Sequence, residues 1–403
     1  MTATREEASV AERMASESLP GSESLPWSMA VLVGAGLLAL VRVLYAPHVE
    51  LAPQEAYYWQ YARHPALSYF DHPPMSAWMI GLSTRWLGDT ELGVRVPTIL
   101  SGFALTWLLY GLGRRLYSAR AGALAALAAN ATVLLGLGGV VMTPDVPLVL
   151  CWTAALRVLC ELVLPDGAGA GRWGARWYVL GTLVGLGMLS KYTAGLLLPQ
   201  ILATALLTQR GREALRTPYP YVGVLVALCV FSPVLVWNAT HGWASFAFQT
   251  AGRASEVRGV RPFLVWRYVG LQAVAVGPVL YVGLWSVARR LVPRARAGEP
   301  RAVLLALSAV PGLLLFTAVS PVHWVKMNWV APCYLGLMVA LAGEWSAGWD
   351  TPRVRRWAWG AVGSGAVLTG MMYLMPLVPW IPFSNRDALT NGWQELAERV
   401  EWQ

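Results

Sequence analysis

Charged side chains are rare in this sequence, and several of them stand beside long apolar runs. Glu55 and Asp71 share one polar segment, while Asp145 and Lys191 each lie between two apolar runs. A carboxylate can hold a hydroxyl group or take a proton from it. Residues of these types are candidates for a functional site, provided that the fold brings them together.

The segment that contains Glu55 and Asp71 is also rich in aromatic residues (APQEAYYWQYARHPALSYFDHPPMSAW). Pro53 is suited to the first turn of a helix, and Asp71-His72-Pro73-Pro74 predicts an extended turn. Aromatic faces stack on sugar rings and carboxylates hold sugar hydroxyls, so the segment suits carbohydrate chemistry. The alternative is an interfacial loop with an ordinary aromatic belt.

The composition indicates a membrane protein. Hydrophobic residues make up 56% of the 403 residues and charged residues only 13%, whereas a soluble domain carries roughly 25% charged residues. Apolar runs of about 20 residues can cross a bilayer as helices. The runs lack the alternation of barrel strands, so the predicted fold class is an all-α polytopic membrane protein.

We predict about eleven membrane spans within a single transmembrane domain, residues 27–380. They are 27–46, 94–113, 122–141, 145–163, 177–190, 193–208, 219–238, 265–288, 302–320, 329–346 and 357–379. Residues 75–88 are apolar but short, which predicts an interfacial or re-entrant helix inside an amphipathic first outer loop, 47–93. Residues 1–26 are predicted to be a disordered cytoplasmic tail, and 381–403 a short tail on the outer face.

Arginine placement predicts a cytoplasmic N-terminus. Arginines cluster in the five short loops that this orientation puts inside, whereas the long segments 47–93 and 239–264 hold only five between them. The unusual polar residues then converge on the outer face. They are Glu55, Asp71, Asp145, Lys191, Asn238, His323, Lys326 and Asn328. Each alone could be a helix cap or an interfacial anchor, but ionisable residues near a membrane are functional candidates.

Other functional classes find little support. The net charge of +9 lies in short loops, so nucleic acid is not predicted as a partner. Four cysteines without CxxC spacing indicate neither a metal site nor a disulfide framework.

Six short motifs combine these acidic, basic and aromatic residues. They are Glu55-Ala56-Tyr57-Tyr58-Trp59, Tyr69-Phe70-Asp71-His72-Pro73-Pro74, Met142-Thr143-Pro144-Asp145, Ser190-Lys191-Tyr192, Pro233 with Trp237-Asn238, and Lys326-Met327-Asn328-Trp329. Together they resemble the GT-C glycosyltransferases of the family 39/83-like group, which includes protein O-mannosyltransferases, aminoarabinose lipid A transferases and RgtA/B/C/D-like enzymes. The resemblance covers about residues 27–345, and residues 392–397 show a weaker similarity to the same family.

The resemblance implies a GT-C-type bundle that transfers a sugar from a polyprenyl-phosphate donor to an acceptor hydroxyl. It also implies an acceptor that is a lipid, a glycan or a protein, and an enzyme of the plasma (inner) membrane that contacts membrane lipids and has an outward-facing site. A lipid phosphate is already a good leaving group, so the site needs a base and cations. No cofactor is required, and a divalent metal is not implied, although the clustered acids could bind one.

The resemblance also suggests roles for individual residues. The expected catalytic residues are Glu55, Asp71 and Asp145. Lys191 is the first candidate for the donor phosphate, followed by His72, Lys326 and His323. The expected substrate-binding residues are Tyr57, Tyr58, Tyr192, Asn238, Asn328 and Trp329.

One departure from the family pattern affects the base. The family usually opens its first motif with Asp-Glu, and Gln54 occupies that Asp position here. We therefore expect Glu55 to act as the base, with Asp71 and Asp145 as the alternatives. The rival functions are a lipid-linked sugar transporter or flippase, and a non-catalytic member that binds lipid-linked sugars. A transporter would show internal repeats and acids near mid-membrane, and the sequence has neither.

Overall fold

The computed structural model describes residues 24–164, 173–252 and 259–377, and these residues form helices without β-strands. The helices are α1 Ser24–Tyr45, α2 Pro53–Arg63, α3 Met75–Leu87, α4 Glu91–Leu116, α5 Ala119–Ala131, α6 Val133–Gly138, α7 Asp145–Val163, α8 Trp173–Ser190, α9 Leu197–Leu207, α10 Gln209–Ala214, α11 Tyr219–Thr240, α12 Ala244–Ala247, α13 Phe263–Val276, α14 Pro278–Arg296, α15 Pro300–Val319, α16 Ala331–Ala347 and α17 Pro352–Leu374. Three segments lie outside the described residues: residues 1–23, the predicted tail 381–403, and within that tail the weaker family similarity at 392–397.

Seven of the described helices are long and apolar enough to cross a membrane, or eight if α13 and α14 count as one bent span. The seven match seven of the predicted spans, so the membrane class and the helical fold are confirmed. The predicted total of eleven is not confirmed. The four unmatched spans are 122–141, 177–190, 193–208 and 265–288.

Local sequence explains why three of the four unmatched segments do not form one long, straight helix. Thr132 interrupts 122–141 with extended backbone, and its hydroxyl caps α6 by accepting the Leu135 amide. The 193–208 segment starts with a 3-10 turn, which leaves only 11 residues for α9. Residues 265–288 bend by 105° at Gly277, whose φ of +96° suits glycine, followed by Pro278, which has no N–H to donate.

The bundle packs around α16, which is buried along almost its whole length. Close approach between α8 and α11 depends on glycine, because a Cβ on Gly181 would lie 2.0 Å from the Gly223 carbonyl oxygen. Small residues allow this kind of contact between membrane helices. The break at 191 separates α8 from α9, so residues 177–208 are not one continuous helix.

The predicted first outer loop contains two helices. Pro53 lies in the first turn of α2, and the Glu55 carboxylate accepts the Ala52 amide at 2.9 Å, which satisfies one of the free donors at the helix start. The apolar segment 75–88 forms α3, and the hydroxyl of Ser83 joins it to α4 by donating to the Gly93 carbonyl at 2.6 Å. The two helices therefore form a cap that is tied to the bundle.

Candidate active site

Three distant parts of the chain meet at Asp145, the first residue of α7. Lys191 Nζ lies 2.7 Å from Asp145 Oδ1, and Asn328 Nδ2 donates to Asp145 Oδ2 at 2.6 Å. Lys191 stands on extended backbone after α8, and Asn328 lies in a 3-10 turn before α16. Asp145 is therefore held on both oxygens, while about 11% of its side chain and of the Lys191 side chain stays exposed.

Glu55 lies in a separate, fully buried ion pair. Arg95 Nε and Nη2 donate to its two carboxylate oxygens at 3.0 and 2.7 Å, and the Met142 amide donates to Oε1 at 3.0 Å. The Glu55 side chain has an exposed fraction of 0%. An acceptor hydroxyl cannot approach it, so this geometry disfavours the expected base role and favours a role in positioning the loop.

Asp71 is the most accessible of the three expected acids, with 21% of its side chain exposed. The Tyr61 hydroxyl donates to Oδ1 at 2.7 Å, and His72 Nε2 lies 3.8 Å from Oδ2. Tyr61 in turn stacks on Tyr69, with ring centroids 4.0 Å apart. Asp71 thus combines a fixed orientation with a partly exposed carboxylate.

Tyr58 lies between the Asp71 and Asp145 regions. Its ring packs edge-on against His72, with centroids 5.5 Å apart, and belongs to the same buried cluster as Met142 and Val146, which flank Asp145. Burial raises the pKa of the Tyr58 phenol first, and the negative charges of Asp71 and then Asp145 raise it further. The charges of both acids therefore affect the ionisation of Tyr58.

The pKa values of the other phenols of α2 are also raised above their ordinary value. Burial is the largest cause of the raised pKa of Tyr57 and of Tyr61. The hydrogen bond to Asp71 raises the pKa of Tyr61 further, because ionisation would place two negative charges side by side. Tyr61 therefore remains a donor to Asp71.

Asn238 supports the first loop from the end of α11. Its side chain is fully buried, its Nδ2 donates to the Val234 carbonyl at 3.0 Å and its Oδ1 accepts the Ser245 amide at 3.1 Å. The Ser245 hydroxyl then donates to the Tyr69 carbonyl at 2.7 Å. This arrangement gives Asn238 a positioning contact, and its expected binding role stays a prediction.

The remaining expected residues occupy varied positions. Lys326 is exposed, two residues before Asn328. His323 and Trp329 are half-buried, with stacked rings whose centroids are 5.7 Å apart. Tyr57 is exposed, whereas the Tyr192 hydroxyl is buried without a hydrogen-bond partner among the described residues. The basic candidates therefore differ in how easily a phosphate can reach them.

In the described parts of the chain, no group of three or more His, Cys, Asp or Glu side chains is arranged to hold a metal ion. The acids of the site are instead matched with Arg95, Lys191 and hydrogen-bond donors. The clustered acids thus already have cationic or neutral partners from the protein itself.

Sequence reasoning missed two residues of this region. Arg95, the partner of Glu55, stands near the start of an apolar run, and an arginine inside a predicted span was a usable signal. Tyr61, which orients Asp71, carried no comparable signal because the segment contains several tyrosines.

The amino-acid sequence is similar to those of known proteins. A family model described as dolichyl-phosphate-mannose-protein mannosyltransferase matches residues 71–237. The lipid A galacturonosyltransferase RgtD of Rhizobium johnstonii is 26% identical over 348 residues, covering 85% of this chain and 70% of the relative. The undecaprenyl phosphate-alpha-4-amino-4-deoxy-L-arabinose arabinosyl transferase of Pseudomonas paraeruginosa is 28% identical, covering 78% of this chain but only 58% of the relative.

The fold is similar to a solved structure as well. The crystal structure of ArnT from Cupriavidus metallidurans bound to undecaprenyl phosphate aligns with a TM-score of 0.66 and 20% identity, over 89% of this chain and 66% of that one. The helical bundle therefore has the GT-C fold. In sequence, the chain is similar to members of the group of the protein mannosyltransferases and the aminoarabinose transferases.

Proposed function

We propose that this protein transfers a sugar from a polyprenyl-phosphate donor to the hydroxyl group of a lipid, glycan or protein acceptor. The observation that carries the proposal is the contact of Lys191 and Asn328 with Asp145, together with the partly exposed carboxylate of Asp71. The names of the relatives, which describe transferases of lipid A and of undecaprenyl-phosphate sugars, support the same donor class.

In the proposed step, Asp71 is the base. It takes the proton of the acceptor hydroxyl as that oxygen attacks the anomeric carbon of the donor sugar. The bond from the anomeric carbon to the phosphate oxygen breaks, and polyprenyl phosphate leaves with the bonding electrons. The exposed fraction of Asp71 and the hydrogen bond from Tyr61 support this choice over Glu55.

Lys191 is the proposed cation for the departing phosphate. Its contact with Asp145 holds the ammonium group in place, and a fixed cation stabilises developing charge without reorganising. His72, Lys326 and His323 are further candidates for the phosphate. Tyr57, Tyr58, Tyr192, Asn328 and Trp329 are candidates for contacts with the sugar or the acceptor.

The proposed location is the plasma (inner) membrane, with a cytoplasmic N-terminus and the site on the periplasmic or outer face. The support is the clustering of arginine in the loops at the opposite ends of the predicted spans. A site at the membrane interface would admit the lipid of the donor from the bilayer.

The experiment is sugar release from labelled polyprenyl-phosphate donors by the purified protein in lipid nanodiscs, with an envelope extract as acceptor. Wild type should turn over at least one donor. Asp71→Asn should lower kcat by about 10²- to 10⁴-fold, the usual contribution of a general base. Asp89→Asn is the matched control, since the Asp89 carboxylate accepts from Trp59 and Arg63 at the surface.

Two outcomes would contradict the proposal. Donor binding without turnover in wild type would favour a transporter or a non-catalytic binding protein. Full turnover in Asp71→Asn would move the base to Asp145 or Glu55.

A further inference from the structure

Arg42 is a buried cation that no carboxylate neutralises among the described residues. It lies in α1, three residues before the helix ends, and has an exposed fraction of 2%. Its contacts are to neutral groups. Nη2 lies 3.4 Å from Asn130 Oδ1 and 3.3 Å from the Gly136 carbonyl, and Nε lies 3.4 Å from the Tyr373 hydroxyl.

Two glycines leave the space that the guanidinium occupies. A Cβ on Gly139 would lie 2.1 Å from Arg42 Cζ, and its three nearest atoms would all belong to Arg42. A Cβ on Gly102 would lie 2.8 Å from Arg42 Nη1. A buried charge of this kind is costly in a membrane protein, so its retention needs a reason beyond packing.

The Arg42 guanidinium lies against Gly139, the first residue of a short linker that leads to Asp145. α6 ends at Gly138 and α7 begins at Asp145, so residues 139–144 alone join the two helices. The Thr98 hydroxyl donates to the Gly138 carbonyl at 2.7 Å, and Glu55 accepts the Met142 amide at 3.0 Å. The linker is therefore fixed at its start and near its middle.

We propose that Arg42 is a positioning residue for Asp145. Arg42 joins α1 to α5, α6 and α17 where the linker begins, and so determines where α7 starts relative to Lys191 and Asn328. The inference rests on the proposed function, because it assigns Arg42 to the same site. It concerns geometry and gives Arg42 no contact with the substrate.

Gly139→Ala is the sharpest test, because the three atoms nearest to its methyl group all belong to the guanidinium. The set is Arg42→Ala, Gly139→Ala, the double variant, Arg42→Lys, and the control Gly138→Ala, whose Cβ would meet nothing within 4 Å. Arg42→Ala and Gly139→Ala should each lower kcat by about 10- to 100-fold, the cost of a misplaced catalytic group, while the KM for the donor stays within about twofold.

The double variant separates a positioning effect of Arg42 from non-specific destabilisation of the fold. With Arg42 truncated, the three atoms that the added methyl would meet first are gone, so the double variant should match Arg42→Ala. Arg42→Lys should recover part of kcat, since an ammonium can still donate to the Gly136 carbonyl. Three results would overturn the inference. The first is a loss of kcat in the double variant equal to the product of the two single losses, and the second is an equal loss of kcat in Gly138→Ala. The third is a rise in the KM for the donor that parallels the loss of kcat.

Hydrogen exchange of residues 137–145 in nanodiscs provides a readout that needs no turnover. Arg42→Ala and Gly139→Ala should speed exchange at Met142, and Gly138→Ala should not. If wild type turns over no donor, the proposed function fails, and the exchange data still decide whether Arg42 holds the linker. Unchanged exchange at Met142 would overturn the inference even in an active enzyme.

Discussion

Arg95 and Glu55 form a two-point ion pair in which neither side chain has more than 2% of its surface exposed. The same guanidinium donates to the carbonyls of Ala46, Val49 and Glu50 at 2.6 to 2.8 Å. These acceptors lie just after α1, in the turn at Ala46–His48 and in the residues that follow it. The pair connects the start of α4 with the chain that carries the aromatic residues of the site.

Glu55→Gln should therefore act mainly on stability. It leaves a buried guanidinium without its counter-charge, and breaking such a pair costs about 3–5 kcal/mol. We expect the free energy of unfolding in detergent to fall by that order. Glu213→Gln, on an exposed carboxylate of α10, should change it by less than about 0.5 kcal/mol. A Glu55→Gln variant of full stability with no activity would instead return Glu55 to the base role.

Lys191→Met should weaken donor binding. The change removes the proposed phosphate cation and one charge-assisted hydrogen bond, a contact worth about 1.5–3 kcal/mol, or roughly 10- to 100-fold in Kd. The measurement is binding of a labelled polyprenyl phosphate in nanodiscs. Arg212→Gln, on an exposed side chain of α10, is the control and should bind normally. An unchanged Kd in Lys191→Met would move the phosphate to His72, Lys326 or His323.

Tyr61 should make the protein sensitive to alkali. Its pKa is raised above the ordinary 10.0 by burial and then by the hydrogen bond to Asp71. The folded protein therefore keeps a proton that the unfolded chain loses above that value, so stability falls as the pH rises through 10. Tyr61→Phe should flatten the dependence of unfolding on pH above about 10, whereas Tyr221→Phe, on an exposed phenol of α11, should leave it unchanged. Equal slopes in wild type and Tyr61→Phe would contradict the assignment.

Gly181→Ala and Gly360→Ala should change stability in opposite directions. The first places a methyl against the Gly223 carbonyl, and such overpacking costs about 1–3 kcal/mol. The second meets nothing within 4 Å on α17 and gains the better helix propensity of alanine, up to about 1 kcal/mol. Thermal unfolding of both variants in the same detergent measures the difference. A stable Gly181→Ala protein would show that α8 and α11 can separate without penalty.

The membrane fold and part of the site could be predicted from the sequence. Asp145, Lys191 and Asn328 interrupt apolar runs at their ends, so their residue types and positions alone indicated a polar site. The environment of Glu55 could not be predicted, because its partner Arg95 is 40 residues away in the chain and its burial depends on the path of residues 46–52. The predicted number of spans was not confirmed for a related reason. The breaks at Thr132 and Gly277 arise from local backbone geometry inside apolar segments.

The contacts of Arg95 also limit how this enzyme can be redesigned. Exchanging the first loop between relatives is an obvious way to change acceptor preference, and residues 47–93 look like a self-contained unit. The loop is nevertheless closed by a side chain that lies just beyond it, in α4. A graft that ends before residue 95 would bring in the residue at position 55 without its partner at position 95. A working chimera should therefore place its C-terminal junction within α4, after Arg95.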